Sequence, residues 1–139
     1  MNRMAAVVWL FCQRISTRFS RDNLPDHGNL LANLIHWAAQ DNFPLHVEGA
    51  GFVDCHLYQQ QDKLILHLVN LTNAGTWRAP VDELIPVGPL SVRVKLPDGI
   101  HGNRLRLLVS NRSPKTTVRN GWTHFELATV LDHEVVVIG

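Results

Sequence analysis

From Leu45 to the end of the chain, apolar and polar residues alternate in short runs, and this period of two is what most constrains the fold. Alternation at every second residue places one set of side chains on each face of a strand, whereas a helix repeats every 3.6 residues. The pattern therefore predicts about seven short strands and no helix in this part of the chain. The main runs are Val53–Tyr58, Leu64–Leu71, Leu90–Leu96, Leu105–Val109, Thr117–Val118, Phe125–Leu127 and Glu134–Ile138.

Turn chemistry separates these runs. Pro97-Asp98-Gly99 is a turn by composition, since proline presets φ and glycine accepts positive φ. Asn120-Gly121 lies between two of the runs and predicts a tight hairpin, because a type I′ turn needs positive φ at both central residues. Short alternating strands joined by such turns are typical of an antiparallel β-sandwich. We therefore expect a mainly β fold, with the sandwich over residues 44–139.

The first 43 residues follow a different pattern. The continuous apolar run Ala5–Phe11 predicts a strand buried on both faces. A helix is predicted to open at Pro25-Asp26, where Asp26 can cap the first turn, and to end near Asp41, before Pro44. Its apolar residues recur at helical spacing and are Leu30, Leu31, Leu34, Ile35 and Ala38.

One strand and one helix cannot enclose a core by themselves. We therefore interpret residues 1–43 as a short, partial α/β segment that either packs on the sandwich or ends a larger domain. The boundary is expected between Asn42 and Pro44.

Charge and composition narrow the possible partners. The 13 Lys and Arg residues nearly balance the 12 Asp and Glu residues, so neither a nucleic acid nor an anionic membrane is expected as a partner. Arg3 and the apolar run Met4–Cys12 resemble a short secretory signal, but no small-x-small cleavage site follows. A buried strand is the favoured interpretation. The compartment stays open, with the cytoplasm slightly favoured.

No motif of a known catalytic type occurs. The chain lacks a P-loop, GxGxxG, HExxH and GxSxG, and Gly49-Ala50-Gly51 is interpreted as a bend or bulge. His67 interrupts a core strand and is expected to be a hydrogen-bonded sheet residue rather than a ligand. In Asp132-His133-Glu134, at most the two carboxylates can share a face, since neighbouring strand residues point opposite ways. We expect no catalytic residue, no metal site and no cofactor.

Cysteines and tryptophans offer the remaining candidates. Cys12 and Cys55 have no zinc-type spacing and are expected to be buried free thiols. Trp9 and Trp37 lie in apolar segments and are expected in the core. Trp77 and Trp122 fall beside loops or turns, where an exposed indole can stack on a sugar. A glycosylation sequon, Asn70-Leu71-Thr72, matters only in a secreted eukaryotic protein.

Five short segments form a recognisable pattern, and they are Leu24–Leu31, Ile35–Ala38, Val47–Gly51, His67–Thr72 and Asp132–Val136. The first two resemble the end of the amidotransferase-like, trimerisation-type domain of beta-galactosidase-like glycoside hydrolases. The other three resemble the C-terminal β-sandwich that follows that domain. One departure is that the family's Pro-Gly-Asp turn after the first strand is replaced by Phe11-Cys12-Gln13.

The resemblance implies a multidomain parent whose catalytic carboxylates lie in a (β/α)8 barrel. A barrel of about 250 residues cannot fit in this chain, so no catalytic residue carries over. We expect a non-catalytic accessory region that serves domain packing or oligomerisation, with other domains or copies of a glycoside-hydrolase-like protein as partners. The alternative is a stand-alone carbohydrate-binding sandwich that uses Trp77 or Trp122, with carbohydrate as its partner.

Overall fold

The computed structural model describes residues 25–72 and 83–139. The chain divides between Phe43 and Pro44 into two compact units. In the first unit, helix α1 spans Pro25–Ala39 with Asp26 in its first turn, as the sequence predicted. Gln40 and Asp41 follow with φ of 51° and 55°, and the left-handed backbone ends the helix. The predicted strand Ala5–Phe11 lies outside the described residues.

The prediction that Trp37 lies in a core is wrong. Its side chain is 64% exposed, whereas those of Leu31 and Leu34 are half-buried. At 3.6 residues per turn, Trp37 lies about a quarter turn from the line through these two leucines. The apolar residues that surround Trp37 in the sequence therefore do not predict whether its side chain is buried. Leu30 and Ile35 are also more than one-third exposed.

The second unit, Pro44–Gly139, is an antiparallel β-sandwich, which confirms the predicted fold class. Its described residues form two four-stranded sheets, sheet A with order β1-β4-β7-β6 and sheet B with order β2-β3-β8-β5. Every pair of neighbouring strands is antiparallel. The strands are β1 Leu45–Glu48, β2 Val53–Gln60, β3 Lys63–Asn70, β4 Leu90–Lys95, β5 Leu105–Leu107, β6 Thr116–Arg119, β7 Trp122–Leu127 and β8 His133–Ile138.

The core lies between the two sheets and is built by alternation. In β4, Val92 and Val94 are fully buried while the intervening Arg93 is exposed. In β3, Leu66 and Leu68 are fully buried on the inner face. Burying each such side chain contributes about 1.5–3 kcal/mol. The period of two in the sequence therefore corresponds directly to the inner and outer faces of the sheets.

Two predicted bends are confirmed. Asn120 and Gly121 have φ of 50° and 76° and join β6 to β7 as a tight hairpin. The segment Gly49–Gly51 carries the chain from β1 in sheet A to β2 in sheet B. Gly51 has a φ of 104°, and a Cβ atom there would collide with the Val87 side chain. Only glycine fits this crossing without strain.

Candidate interaction surface

The outer faces of the two sheets differ in chemistry. In sheet A, the outward residues of β4 are Ser91, Arg93 and Lys95, and all are exposed. This is the ordinary solvent-facing pattern of an antiparallel sheet. In sheet B, by contrast, the outward residues of the two central strands are mostly apolar and half-buried. They are Ile65, His67 and Val69 of β3 with Val135 and Val137 of β8, and we name them the β3–β8 face.

Strand register brings these apolar residues together. Ile65 lies directly opposite Val137, and His67 lies opposite Val135. Cross-strand neighbours on one face are close enough to pack, and β-branched side chains suit that surface. The sequence carried a signal of this face, because the runs of β3 and β8 are almost continuously apolar instead of alternating. The signal indicated apolar outer faces, but it did not indicate that these two strands are neighbours.

Aromatic and polar side chains of β2 border the β3–β8 face. Tyr58 is 55% exposed, and its ring centroid lies 5.8 Å from that of His67, edge-on at 85°. The ring of His56 lies 6.3 Å from the Tyr58 ring and nearly parallel to it. Nε2 of His56 lies 3.0 Å from Oδ2 of Asp54. His67 is thus a half-buried sheet residue in contact with Tyr58, and no group of three ligating side chains suited to a metal occurs among the described residues.

Of the two tryptophans predicted to stack on sugars, only Trp122 lies in the described part of the chain. It begins β7 and is half-buried on the polar outer face of sheet A. Its indole lies 5.5 Å from the His46 ring at a tilt of 50°. On the same face, Nη2 of Arg93 lies 3.2 Å from Oε1 of Glu48. Trp77 lies outside the described residues.

Asn70 ends β3 and ties together three segments of the sandwich. Its side chain is buried, and Nδ2 donates hydrogen bonds of 2.7 Å to the carbonyl oxygens of Ile85 and Leu131. Its Oδ1 accepts a hydrogen bond of 2.9 Å from the Thr72 amide. In the sequon Asn70-Leu71-Thr72, the side-chain nitrogen to which a glycan would be attached is therefore already hydrogen-bonded inside the fold. A glycan cannot be attached there while these bonds persist.

Asp132 and Glu134 do not share a site. Glu134 is 4% exposed, and its carboxylate accepts hydrogen bonds from the amides of Val109, Ser110 and Val135 at 2.9–3.1 Å. Burial raises the pKa of Glu134, but the hydrogen bonds from Ser110, Val109 and Val135 outweigh it and hold the pKa below its ordinary value. Asp132 is exposed and pairs with Nδ1 of its neighbour His133 at 2.9 Å. The buried carboxylate is a structural acceptor that fixes the chain after β5.

Cys55 lines a small cleft between the edge strands β1 and β2. The thiol is free and only half-buried, which departs from the expected full burial because β2 lies at the edge of its sheet. Burial and the charge of Asp54 raise the pKa of the thiol, so it stays protonated and is a weak nucleophile. Cys12 lies outside the described residues. The cleft has a volume of about 270 Å³ and is lined by Leu45, Val47, Gly49, Gly51, Val53, Cys55 and Leu90.

No family model matches the sequence, and no curated protein matches it. Solved structures do share the fold. An alpha-L-fucosidase isoenzyme 2 from Paenibacillus thiaminolyticus matches 89% of this chain with a TM-score of 0.74 and 14% identity. A cycloisomaltooligosaccharide glucanotransferase from Paenibacillus sp., complexed with cycloisomaltoheptaose, matches 68% with a TM-score of 0.53 and 14% identity.

The chain corresponds to only 19% of the fucosidase chain and 16% of the glucanotransferase chain. At this identity, the likeness establishes only a shared fold, which occurs here within two much longer chains. The likeness agrees with the expected β-sandwich, and neither of the two proteins is a beta-galactosidase. In the described part of the chain, no helix is long and apolar enough to cross a membrane.

Proposed function

We propose that this chain is a non-catalytic accessory module of a carbohydrate-active, glycoside-hydrolase-like protein, and that the β3–β8 face packs against another domain of that protein. The observation that carries this proposal is the contrast between the two outer faces. Sheet A presents Arg93 and Lys95 to solvent, whereas sheet B presents Ile65, Val135 and Val137. Antiparallel sheets that face water on one side carry polar residues there, so an apolar outer face indicates a packing surface.

The structural neighbours support the module interpretation. In both, the shared fold is a minor part of the enzyme, 19% and 16% of the chain. We further propose that the parent protein is beta-galactosidase-like and that residues 1–43 are a partial amidotransferase-like segment.

The contacts of three described carboxylates support a non-catalytic role. Glycoside hydrolysis needs two carboxyl groups facing each other across the scissile bond. Glu134 is held by backbone amides. Glu48 pairs with Arg93 on sheet A, whereas Asp54 pairs with His56 on sheet B. These three carboxylates therefore have separate partners and do not converge on one cleft.

The carbohydrate-binding alternative has less support. Trp122 is half-buried and tilted against His46, which leaves only part of the indole available to a sugar. Trp77 lies outside the described residues, so its role stays a prediction.

A lysine scan of the two outer faces tests the packing surface. We expect Val135→Lys to lower the fluorescence of a bound apolar dye several-fold, because an ammonium group interrupts the apolar β3–β8 face. The control, Ser91→Lys, places the same charge on sheet A and is expected to leave dye binding unchanged. Both variants are expected to unfold within about 1 kcal/mol of the parent, as outward substitutions usually do. Equal dye binding by the two variants would contradict the assignment of the face.

A further inference from the structure

Strand β2 is the longest edge strand in the described part of the sandwich. It spans eight residues and pairs with β3 on one side, and no described strand pairs with its other side. An edge of this kind presents a row of free N–H and C=O groups, which is a template for a further strand. The edge strands β1 and β6 have four residues each, and β5 has three.

The other edges carry features that discourage pairing, and β2 lacks them. The amide of Leu107 in β5 already donates to the carbonyl of Arg112 at 2.8 Å, so a loop covers that edge. Strand β6 contains Arg119 and follows Lys115. Strand β2 has no lysine, arginine or proline, and its one formally charged residue is Asp54. Charged side chains, proline and short length are the usual means of blocking an edge.

The inward-facing apolar side chains of β2 are also incompletely covered. Cys55 and Leu57 point toward the core but stay only half-buried, and both pack against it. Cys55 lines the apolar cleft between β1 and β2. A strand added to the edge of β2 would bring its own inward side chains over these residues. The same contact would therefore satisfy the free backbone groups and cover the apolar rim.

We propose that two copies of this chain associate through their β2 strands, in antiparallel fashion, so that two B sheets become one continuous sheet. The proposal rests on the accessory role proposed above and specifies one partner, a second copy. A twofold contact is self-complementary and closed, so it yields a dimer and no larger assembly.

The face alternation restricts the possible registers, and among those it allows we place the twofold axis at His56. Residues directly opposite each other in an antiparallel pair share a face, so the twofold axis must pass at a residue and not between two. With the axis at His56, Cys55 lies opposite Leu57 of the second copy, and Asp54 lies opposite Tyr58 of the second copy. This register pairs half-buried apolar residues with each other and a carboxylate with a hydroxyl donor. It also keeps the two Asp54 carboxylates from facing each other.

The solution mass of the full chain, measured by light scattering across a dilution series, tests the association. We expect a dimer at high concentration that dissociates on dilution, because a single pair of edge strands is a small interface. His56→Lys places two ammonium groups opposite each other at the axis and is expected to give a monomer throughout. Thr117→Lys, on the exposed edge strand β6, is the matched control and is expected to retain the parent's behaviour.

A cysteine pair tests the register. In a Cys12→Ser, Cys55→Ser background, we expect His56→Cys to form a disulfide-linked dimer under mild oxidation, since directly opposite Cα atoms lie within disulfide reach. Thr117→Cys in the same background is expected to stay mostly monomeric. A parent that is monomeric at every concentration, a discrete trimer, or equal cross-linking by both cysteines would overturn the proposal. None of these outcomes bears on the β3–β8 face, whose test uses Val135 and dye binding.

Discussion

Replacing Asn70 with alanine is expected to lower the free energy of unfolding by about 3 kcal/mol. The substitution removes the amide that donates to the carbonyls of Ile85 and Leu131, and it removes the acceptor for the Thr72 amide. A buried polar group that loses its partner costs about 1–3 kcal/mol, and several groups lose partners here. The effect is large because one side chain connects the end of β3 to segments that are 15 and 61 residues distant.

Urea unfolding followed by circular dichroism measures this change. The matched control is Asn103→Ala, which removes an exposed amide and is expected to shift stability by no more than about 0.5 kcal/mol. Asn70→Asp is expected to be at least as destabilising as the alanine variant, because a carboxylate would face two carbonyl oxygens. An Asn70→Ala protein as stable as the Asn103→Ala protein would show that these hydrogen bonds do not hold the loops.

Replacing Glu134 with glutamine is expected to remove part of the acid sensitivity of the fold. Because the pKa of Glu134 is lower in the folded chain than in the unfolded chain, its charged form stabilises the fold. That contribution is present above the ordinary glutamate pKa of about 4.3, and it is lost as the pH falls through the lower folded pKa. The carboxylate accepts three amide hydrogen bonds, two of them from exposed loop residues. We therefore expect Glu134→Gln to lower the free energy of unfolding by about 1–2 kcal/mol at neutral pH.

Stability curves between about pH 3 and pH 7 distinguish this effect from general acid denaturation. The parent and the control Glu126→Gln, whose side chain is exposed, are expected to lose stability steeply on acidification. Glu134→Gln is expected to start lower at pH 7 and to fall less steeply. The same acid slope in all three proteins would contradict the role assigned to Glu134.

The local features of this fold were predictable from the sequence. Alternation identified β4 residue by residue, and Asn120-Gly121 identified the hairpin, because each depends only on neighbouring residues and on turn geometry. Helix α1 was equally predictable from its cap and spacing. The exposure of Trp37 was not, because burial depends on what lies against a helix as well as on its own apolar residues.

The candidate surfaces depend on contacts between distant parts of the chain. The β3–β8 face exists because Ile65 lies opposite Val137, a pairing that no local pattern specifies. The network of Asn70 likewise joins β3 to carbonyls in two later loops. From the sequence, Asn70 could be recognised only as part of a sequon, although in the fold its amide is a structural donor.

We propose that the chain has no catalytic activity of its own. The most direct test is to assay the purified chain against a panel of chromogenic glycosides, with Asp54→Asn and Glu48→Gln prepared in parallel. We expect every protein to release chromophore at the uncatalysed rate. Turnover by the parent that disappears in one of these carboxylate variants would contradict the non-catalytic role and identify the chain as a glycosidase.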